Sequence, residues 1–297
     1  MKYIEYKPHS ALSEYVECFW STDVTNTISP RDMESFIPDG NIELVFNFGD
    51  PHTEVKNGKK ECVKDSHVSG IQSKSSHVVL PGRLKHFCVR FKPGGAFPFL
   101  GIPAHLFANS NYPLDILLGK EYLLLEEQIF EAPNDTDRIK ILENFLLNKL
   151  SGTDFVSDYR FVKSCINSLL LPENPLKIND LGKLYSTNYK TIERKFKKII
   201  GLSPSELLKI KRINNAVRHM YHSANTSLTE VAYASGYYDQ SHFIREFKQI
   251  TNLTPREFRK KQFALVCTTE QNLLSCRTVV EIVQFLQVTD SYVCLEN

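Results

Sequence analysis

The sequence predicts an α+β chain in which a strand-rich amino-terminal domain with helices precedes an all-α carboxy-terminal domain built on one supersecondary unit used twice. Three observations predict it. Residues 41–48 and 86–91 alternate apolar with polar side chains, the period of a strand. Residues 117–130, 138–150 and much of 177–262 carry helical apolar spacing. Residues 196–207 recur at 247–258, so a unit is repeated. Strands followed by helices suit an α+β domain rather than a wound α/β sheet.

The chain has 297 residues, 42% of them hydrophobic, enough for about two domains with full cores. The expected division is an α+β domain over residues 1–165 for effector binding or dimerisation, a second domain over 166–262, and an extension over 263–297 with no functional reading. No stretch approaches the roughly 18 uninterrupted apolar residues of a membrane span, and the start Met1-Lys2-Tyr3-Ile4-Glu5 lacks a signal-peptide core, so a cytoplasmic protein with no membrane partner is expected. The seven cysteines, odd in number and without a Cys-x-x-Cys pair, read as reduced thiols. Charge is distributed unevenly. Residues 1–176 hold 18 Lys and Arg against 23 Asp and Glu, whereas residues 177–262 hold 17 against 7 and residues 263–297 hold 1 against 4. A compact unit of net +10 beside acidic neighbours is the electrostatic footprint of a nucleic-acid binder, because its cations displace the counterions of phosphates.

In the first half, the turn Pro38-Asp39-Gly40 leads into a strand with Ile42, Leu44, Phe46 and Phe48 on one face and Asn41, Glu43, Val45 and Asn47 on the other, which predicts a half-buried strand. A second strand sets Phe87, Val89 and Phe91 against His86, Cys88 and Arg90, and ends in Lys92-Pro93-Gly94-Gly95. Arg90 in this aromatic strand is a candidate anchor for an anionic effector, although an ion pair with Glu43 or Asp39 is the commoner use of such a residue. His67, His77 and His86 match no metal-ligand spacing, so no metal and no cofactor is expected. Over 138–150, the apolar Ile139, Leu142, Phe145, Leu146 and Leu150 suit packing within the domain or pairing of subunits.

The repeat can be read residue by residue. Ser203-Pro204-Ser205-Glu206 and Thr254-Pro255-Arg256-Glu257 each place a hydroxyl at the N-cap, proline at N1 and glutamate at N3, so a helix begins at each. Leu228, Val231, Ala232 and Ser235 share a helical face behind Ser227-x-x-Glu230, and Gly236 stops that helix before another starts near Asp239. The earlier copy sets Ile178, Leu181, Leu184 and Tyr185 on one helix, a turn at Ser186-Thr187-Asn188, and a second helix over 189–200. Helix, tight turn, helix is the arrangement whose second helix enters a DNA groove. In the first copy Ile192, Phe196 and Ile199 point inward, while Lys190, Glu193, Arg194 and Lys197 lie on the other side; in the second Phe243, Phe247 and Ile250 pack, while Ser241, His242, Arg245, Lys248 and Gln249 face outward. Arg forks onto guanine and Lys meets phosphate, so these residue types suit the task. A helix from Ser203 to about Tyr221 would hold the two units apart by about 28 Å, close to one DNA turn.

This segment resembles the DNA-binding domain of the AraC/XylS family of bacterial transcription regulators. The resemblance is carried by Ala234-Ser235-Gly236-Tyr237-Tyr238-Asp239-Gln240-Ser241-His242-Phe243-Ile244-Arg245-Glu246-Phe247-Lys248 and by Leu253-Thr254-Pro255-Arg256-Glu257-Phe258-Arg259. Tyr237 stands where the family usually has Phe, and Asn252 where Gly is common. The resemblance implies groove-reading positions at Lys190, Glu193, Arg194, Ser241, His242 and Arg245, with Lys197 and Lys248 beside them. Trp20, Pro38-Asp39-Gly40-x-x-Glu43-Leu44 and Val89-Arg90-Phe91-x-Pro93-Gly94-Gly95 resemble an amino-terminal domain found on some such regulators, with no ligand implied. Together these resemblances imply a regulator that binds double-stranded promoter DNA and contacts RNA polymerase, with a small-molecule effector and a homodimer as further partners they allow. The rival readings are an enzyme or an interaction protein carrying an AraC-like module. The enzyme reading lacks a clustered cysteine zinc site, a Gly-rich phosphate loop, a Gly-x-Ser-x-Gly elbow or a His-Glu-x-x-His pair, so no enzymatic activity is expected.

Overall fold

The structure, a computed structural model, describes residues 2–25, 33–56, 58–63, 65–79, 82–152, 154–171, 176–222 and 226–260. The expected extension over 263–297, with Cys267, Cys276 and Cys294, lies outside the described residues. Two antiparallel sheets form the amino-terminal half. The first has the order β1-β2-β9-β4-β7-β10, with β1 at Lys2–Tyr6, β2 at Val16–Thr25, β4 at Ile42–Asn47, β7 at His67–Ser69, β9 at Arg83–Phe91 and β10 at Asn111–Pro113. The second has the order β3-β8-β5-β6, with β3 at Met33–Phe36, β5 at His52–Lys56, β6 at Lys59–Val63 and β8 at Ser76–Val79.

Residues directly opposed across a ladder share a face. The register therefore makes one row of Phe19, Val89, Leu44 and Val68, and the next row, on the opposite face, of Trp20, Cys88, Val45 and His67. The Phe19 row joins Phe46, Phe87 and Phe91 in the main core. Cys18, Trp20, Val45 and Cys88 make a separate small cluster on the other face, toward the second sheet. β4 is consequently covered on both faces, down to Val45 and Asn47, where the sequence predicts a half-buried strand. The second sheet supplies the extra cover, and nothing within β4 itself announces it.

Helices complete the first half: α1 at Phe97–Leu100, α2 at Leu114–Leu118, α3 at Lys120–Glu131, α4 at Asp135–Ser151 and α5 at Val156–Leu169. The single helix expected over 117–130 is divided into α2 and α3 at Gly119, whose φ of +59° breaks helical geometry. In α4 the Asn134 side chain accepts from the Asp137 N–H, Leu142 and Leu146 are buried, and Ile139, Phe145 and Leu150 pack on the same core, so its apolar face is used within the domain. α5 runs without a break across residue 165, where the sequence divides the chain. None of the described helices is long and apolar enough to cross a membrane.

The second half comprises α6 at Leu181–Leu184, α7 at Tyr189–Ile199, α8 at Pro204–His222, α9 at Leu228–Ala234 and α10 at Gln240–Thr251, with residues 255–260 helical after them. The two halves share one apolar core, which runs from Leu12 through Ile199 and Ile200 to Ile250. Glycines mark the closest approach. A Cβ at Gly94 would lie 2.9 Å from Ile199, and one at Gly201 would lie 2.6 Å from Ile71.

Candidate nucleic-acid interface

Each repeat unit is set by local chemistry. In the first, residues 178–180 form a 3-10 turn before the short α6, Ser186 takes φ +48°, and the Asn188 side chain caps α7 by accepting from the Lys190 N–H at 2.8 Å. Ile192, Phe196 and Ile199 are fully buried beneath α7, and Lys190, Arg194 and Lys197 are exposed on its outer side with Glu193 half-buried. The i, i+4 partner of Glu193 is Lys197, at 4.0 Å. Leu184, expected on the packed face of its helix, is instead 55% exposed. The physical reason is the shortness of α6, a single turn entered from a 3-10 segment, which shifts the phase that a continuous helix from Ile178 would have had.

In the second unit, the Ser227 and Glu230 capping box opens α9. Gly236 closes it at φ +82°, with the Tyr237 N–H donating to Ala232 O at 3.0 Å. Asp239 caps α10 by accepting from the His242 N–H at 2.7 Å. Phe243, Phe247 and Ile250 are buried, while Ser241, Arg245, Lys248 and Gln249 are exposed and His242 is half-buried. His242 is partly engaged within the domain, its Nε2 3.6 Å from Glu246 Oε2 and its ring against Tyr237. Between the units, α8 spans 19 residues, about 28 Å at the helical rise. Ser203 and Glu206 make its expected capping box, with the Ser203 N–H donating to Glu206 Oε2 at 2.8 Å and the Glu206 N–H to Ser203 Oγ at 3.3 Å.

Two features of this face escape sequence reasoning. Glu246, on the recognition helix itself, is 4% exposed and accepts from the Arg212 guanidinium of α8 at 2.8 Å and from Tyr237 Oη at 2.8 Å. This knot fixes α10 to α8. Likewise Lys195 and Lys198 turn away from solvent-side α7 to pair with Asp158 on α5. The hydrogen bond from Lys195 holds the Asp158 carboxyl below its ordinary value, against the opposing effect of burial. The positive charge of α7 is thus divided: Lys190, Arg194 and Lys197 face outward, and Lys195 and Lys198 tie the unit to the first half.

Away from this face, Arg90 is 3% exposed. Its Nε donates to Glu43 Oε1 at 2.7 Å, its Nη1 lies 3.4 Å from Glu5 Oε1, and its guanidinium sits 5.8 Å from the centre of the Trp20 ring. Burial works against the Arg90 charge, but Glu43 and its neighbours hold the group well above its ordinary value, so it stays a cation. The ion pair with Glu43 weighed from the sequence is present. His67 and His86 line one cavity, whereas His77 takes the alternate position of β8 beside Val78.

Two known domain families match separate parts of the chain. Residues 181–261 match the profile of a helix-turn-helix domain family, and residues 4–113 that of a domain of unknown function, DUF6597. The HTH-type transcriptional activator RhaS of Salmonella newport (strain SL254) is 33% identical over 86 residues, 29% of this chain and 31% of that protein, and RhaS of Salmonella agona (strain SL483) gives the same figures. The chain thus matches about a third of the length of these curated relatives. Among solved structures, ToxT of Vibrio cholerae is 14% identical over 81% of this chain and 97% of that one, at a TM-score of 0.42. A regulator with an AraC-type DNA-binding domain from Chromobacterium violaceum is 27% identical over 34% of this chain and 87% of that one, at 0.28. Residues 181–261 are a helix-turn-helix domain.

Proposed function

We propose that the protein is a sequence-specific DNA-binding transcription regulator that reads promoter DNA with α7 and α10 in successive segments of the major groove. The observation that carries this reading is the pair of outward faces: each recognition helix buries its aromatic and aliphatic side and leaves basic and hydrogen-bonding side chains exposed, in a domain of net +10. Arg194 and Arg245 have the planar fork that meets guanine O6 and N7, Ser241 and His242 the shorter groups that reach base edges, and Glu193 an acceptor for a cytosine amino group. Lys190, Lys197 and Lys248 suit phosphates. RNA polymerase is the further partner of such a regulator, the cytoplasm its place of action, and the amino-terminal domain its modulating part. No catalytic role is assigned to the chain.

The test is selection of bound sequences from a random duplex pool by the full-length protein. An enriched site with two elements about one helical turn, roughly 34 Å, apart is expected. A pool that stays random through repeated rounds at low salt would overturn the reading.

A further inference from the structure

Between the two sheets lies a cavity of about 160 Å3. The strand alternation that splits the first sheet into two faces decides its lining: Trp20, His86 and Arg90 come from that sheet, and His52, Glu54 and Val78 from the second. Size limits the occupant, since an apolar cavity of about 150 Å3 admits a benzene ring, so roughly six to eight heavy atoms fit.

The polar groups of the cavity are incompletely paired. His52 is 6% exposed; its Nε2 lies 3.5 Å from Glu54 Oε1, and its Nδ1 has no hydrogen-bond partner. In the neutral tautomer that turns Nε2–H to the carboxylate, Nδ1 is left as a hydrogen-bond acceptor. The ring of His86 lies 5.7 Å from that of His52, and its Nε2 also lacks a partner. Burial pushes His86 down to about 3, which keeps its ring neutral. A buried acceptor without a donor is costly, and a ligand donor would remove that penalty. Charge narrows the choice further. Among the described lining residues, Asp39, Glu43 and Glu54 outnumber the guanidinium of Arg90, and this excess of carboxylates repels an anion. Those carboxylates already have partners: Glu43 takes Arg90 and Trp20, Glu54 takes His52 and Asn111, and Asp39 takes the Asn41 N–H. A desolvated ammonium would have to compete with them.

The rim of the same cavity touches the DNA-binding half. Pro38 and Asp39 line it, and their carbonyls accept from Asn214 Nδ2 at 2.8 Å and Lys211 Nζ at 2.9 Å, both on α8. Ser76, which also lines it, pairs with Phe36 at the start of the loop that holds Pro38 and Asp39, and the neighbouring Ser75 N–H donates to Ile250 O of α10 at 2.7 Å. We propose that this cavity binds a small uncharged molecule carrying a hydroxyl or amide donor, and that the loop over residues 37–41 carries its occupancy to α8. The coupling rests on the regulator reading above; the binding does not.

Trp20 is the single tryptophan of the chain, so its emission reports on the cavity directly. The full-length protein is titrated with one ring carrying different head groups: cyclohexanol, cyclohexanone, cyclohexanecarboxylate and cyclohexylammonium. Cyclohexanol should shift the Trp20 emission saturably and bind about tenfold more tightly than the other three, the loss expected when a buried acceptor goes unmet. His52→Phe should abolish that preference, and if H52F fails to fold, the series on the unaltered chain still decides. Tightest binding of the carboxylate or the ammonium overturns the ligand class, and no saturable shift with any ring overturns the site. For the coupling, saturating cyclohexanol should change affinity for the selected DNA several-fold in the native chain. It should leave it unchanged in the Lys211→Ala, Asn214→Ala double variant, which still binds the ring. DNA affinity indifferent to cyclohexanol in the native chain overturns the coupling alone. A chain that binds the ring but no DNA loses the regulator reading and the coupling with it, while the site stands.

Discussion

Arg245 and Lys248 lie three positions apart on the exposed side of α10, yet their head groups should act differently on DNA. A guanidinium can donate two parallel hydrogen bonds to one base edge, whereas an ammonium is a mobile point charge that tracks phosphate. Arg245→Ala is expected to cost about 1–3 kcal/mol on the selected site and to relax preference at one base pair, whereas Lys248→Ala should weaken all sequences alike and lower the salt slope by about 1. Titrations of each variant on the selected site and on random duplex, at several salt concentrations, separate the two roles, and equal losses on both duplexes for Arg245→Ala would remove it from the reading set. The outward positions of these side chains are legible in the sequence because helical period alone places them opposite Phe243 and Phe247. Glu246 is not legible in that way. A carboxylate beside a phenylalanine on a basic helix reads as solvated charge, and its burial is accounted for by Arg212, 34 residues earlier on α8, together with the Tyr237 hydroxyl.

At the scale of elements, what the sequence reveals is what depends on neighbours within four residues. The boxes at Ser203, Ser227 and Thr254 are all formed, with Glu206, Glu230 and Glu257 reaching back to the cap N–H. The stop expected at Gly236 takes positive φ, and Gly201 and Asn252, at the ends of α7 and α10, do the same. Two of these stops carry different constraints, and the difference can be measured. Gly236 has φ +82° but open surroundings, with Arg212 Cδ 3.8 Å from an added Cβ, so Gly236→Ala meets backbone strain alone, about 1 kcal/mol. Gly201 has φ +93° and an added Cβ would come 2.6 Å from Ile71 and 3.2 Å from Ala104 O. Gly201→Ala should therefore cost at least about 2 kcal/mol, since overpacking adds to the strain. Denaturant midpoints of the two variants give the ordering, and equal losses would mean that the first half does not press on Gly201. Sheet pairing is the opposite case. Neighbours in sequence order do not say that β2 pairs with β9 and β9 with β4, and so do not say that Trp20, His86 and Arg90 meet His52 across a cavity. The alternation in residues 41–48 and 86–91 gives two strands with two faces each; which face a second sheet covers is set by non-local register.

For the molecule as a whole, the basic segment stands out by charge and repeat as a separable domain, yet its first unit is packed into the other half. Ile199 and Ile200 are fully buried, the former against the turn at Gly94, and Lys195 and Lys198 hold Asp158 of α5. Charge and periodicity describe α7 as a helix with one buried side, but the surfaces that bury it belong to α5 and, about a hundred residues away, to the turn at Gly94 in the strand-rich half. Cutting the chain at residue 165 also falls inside α5, removing part of the helix that Leu181 and α7 share a core with. Each isoleucine uncovered by such a cut forfeits roughly 2 kcal/mol of burial, and the ion pairs add a smaller, salt-screened amount. The full-length protein is therefore expected to unfold in one cooperative transition, and a fragment of residues 166–262 to melt at a clearly lower temperature and to bind an apolar dye before melting. Calorimetry and circular dichroism on both chains measure this. Two transitions in the full-length protein, one coinciding with that of the fragment, would show instead that the DNA-binding half folds independently and that its contacts with the sheets contribute little to its stability.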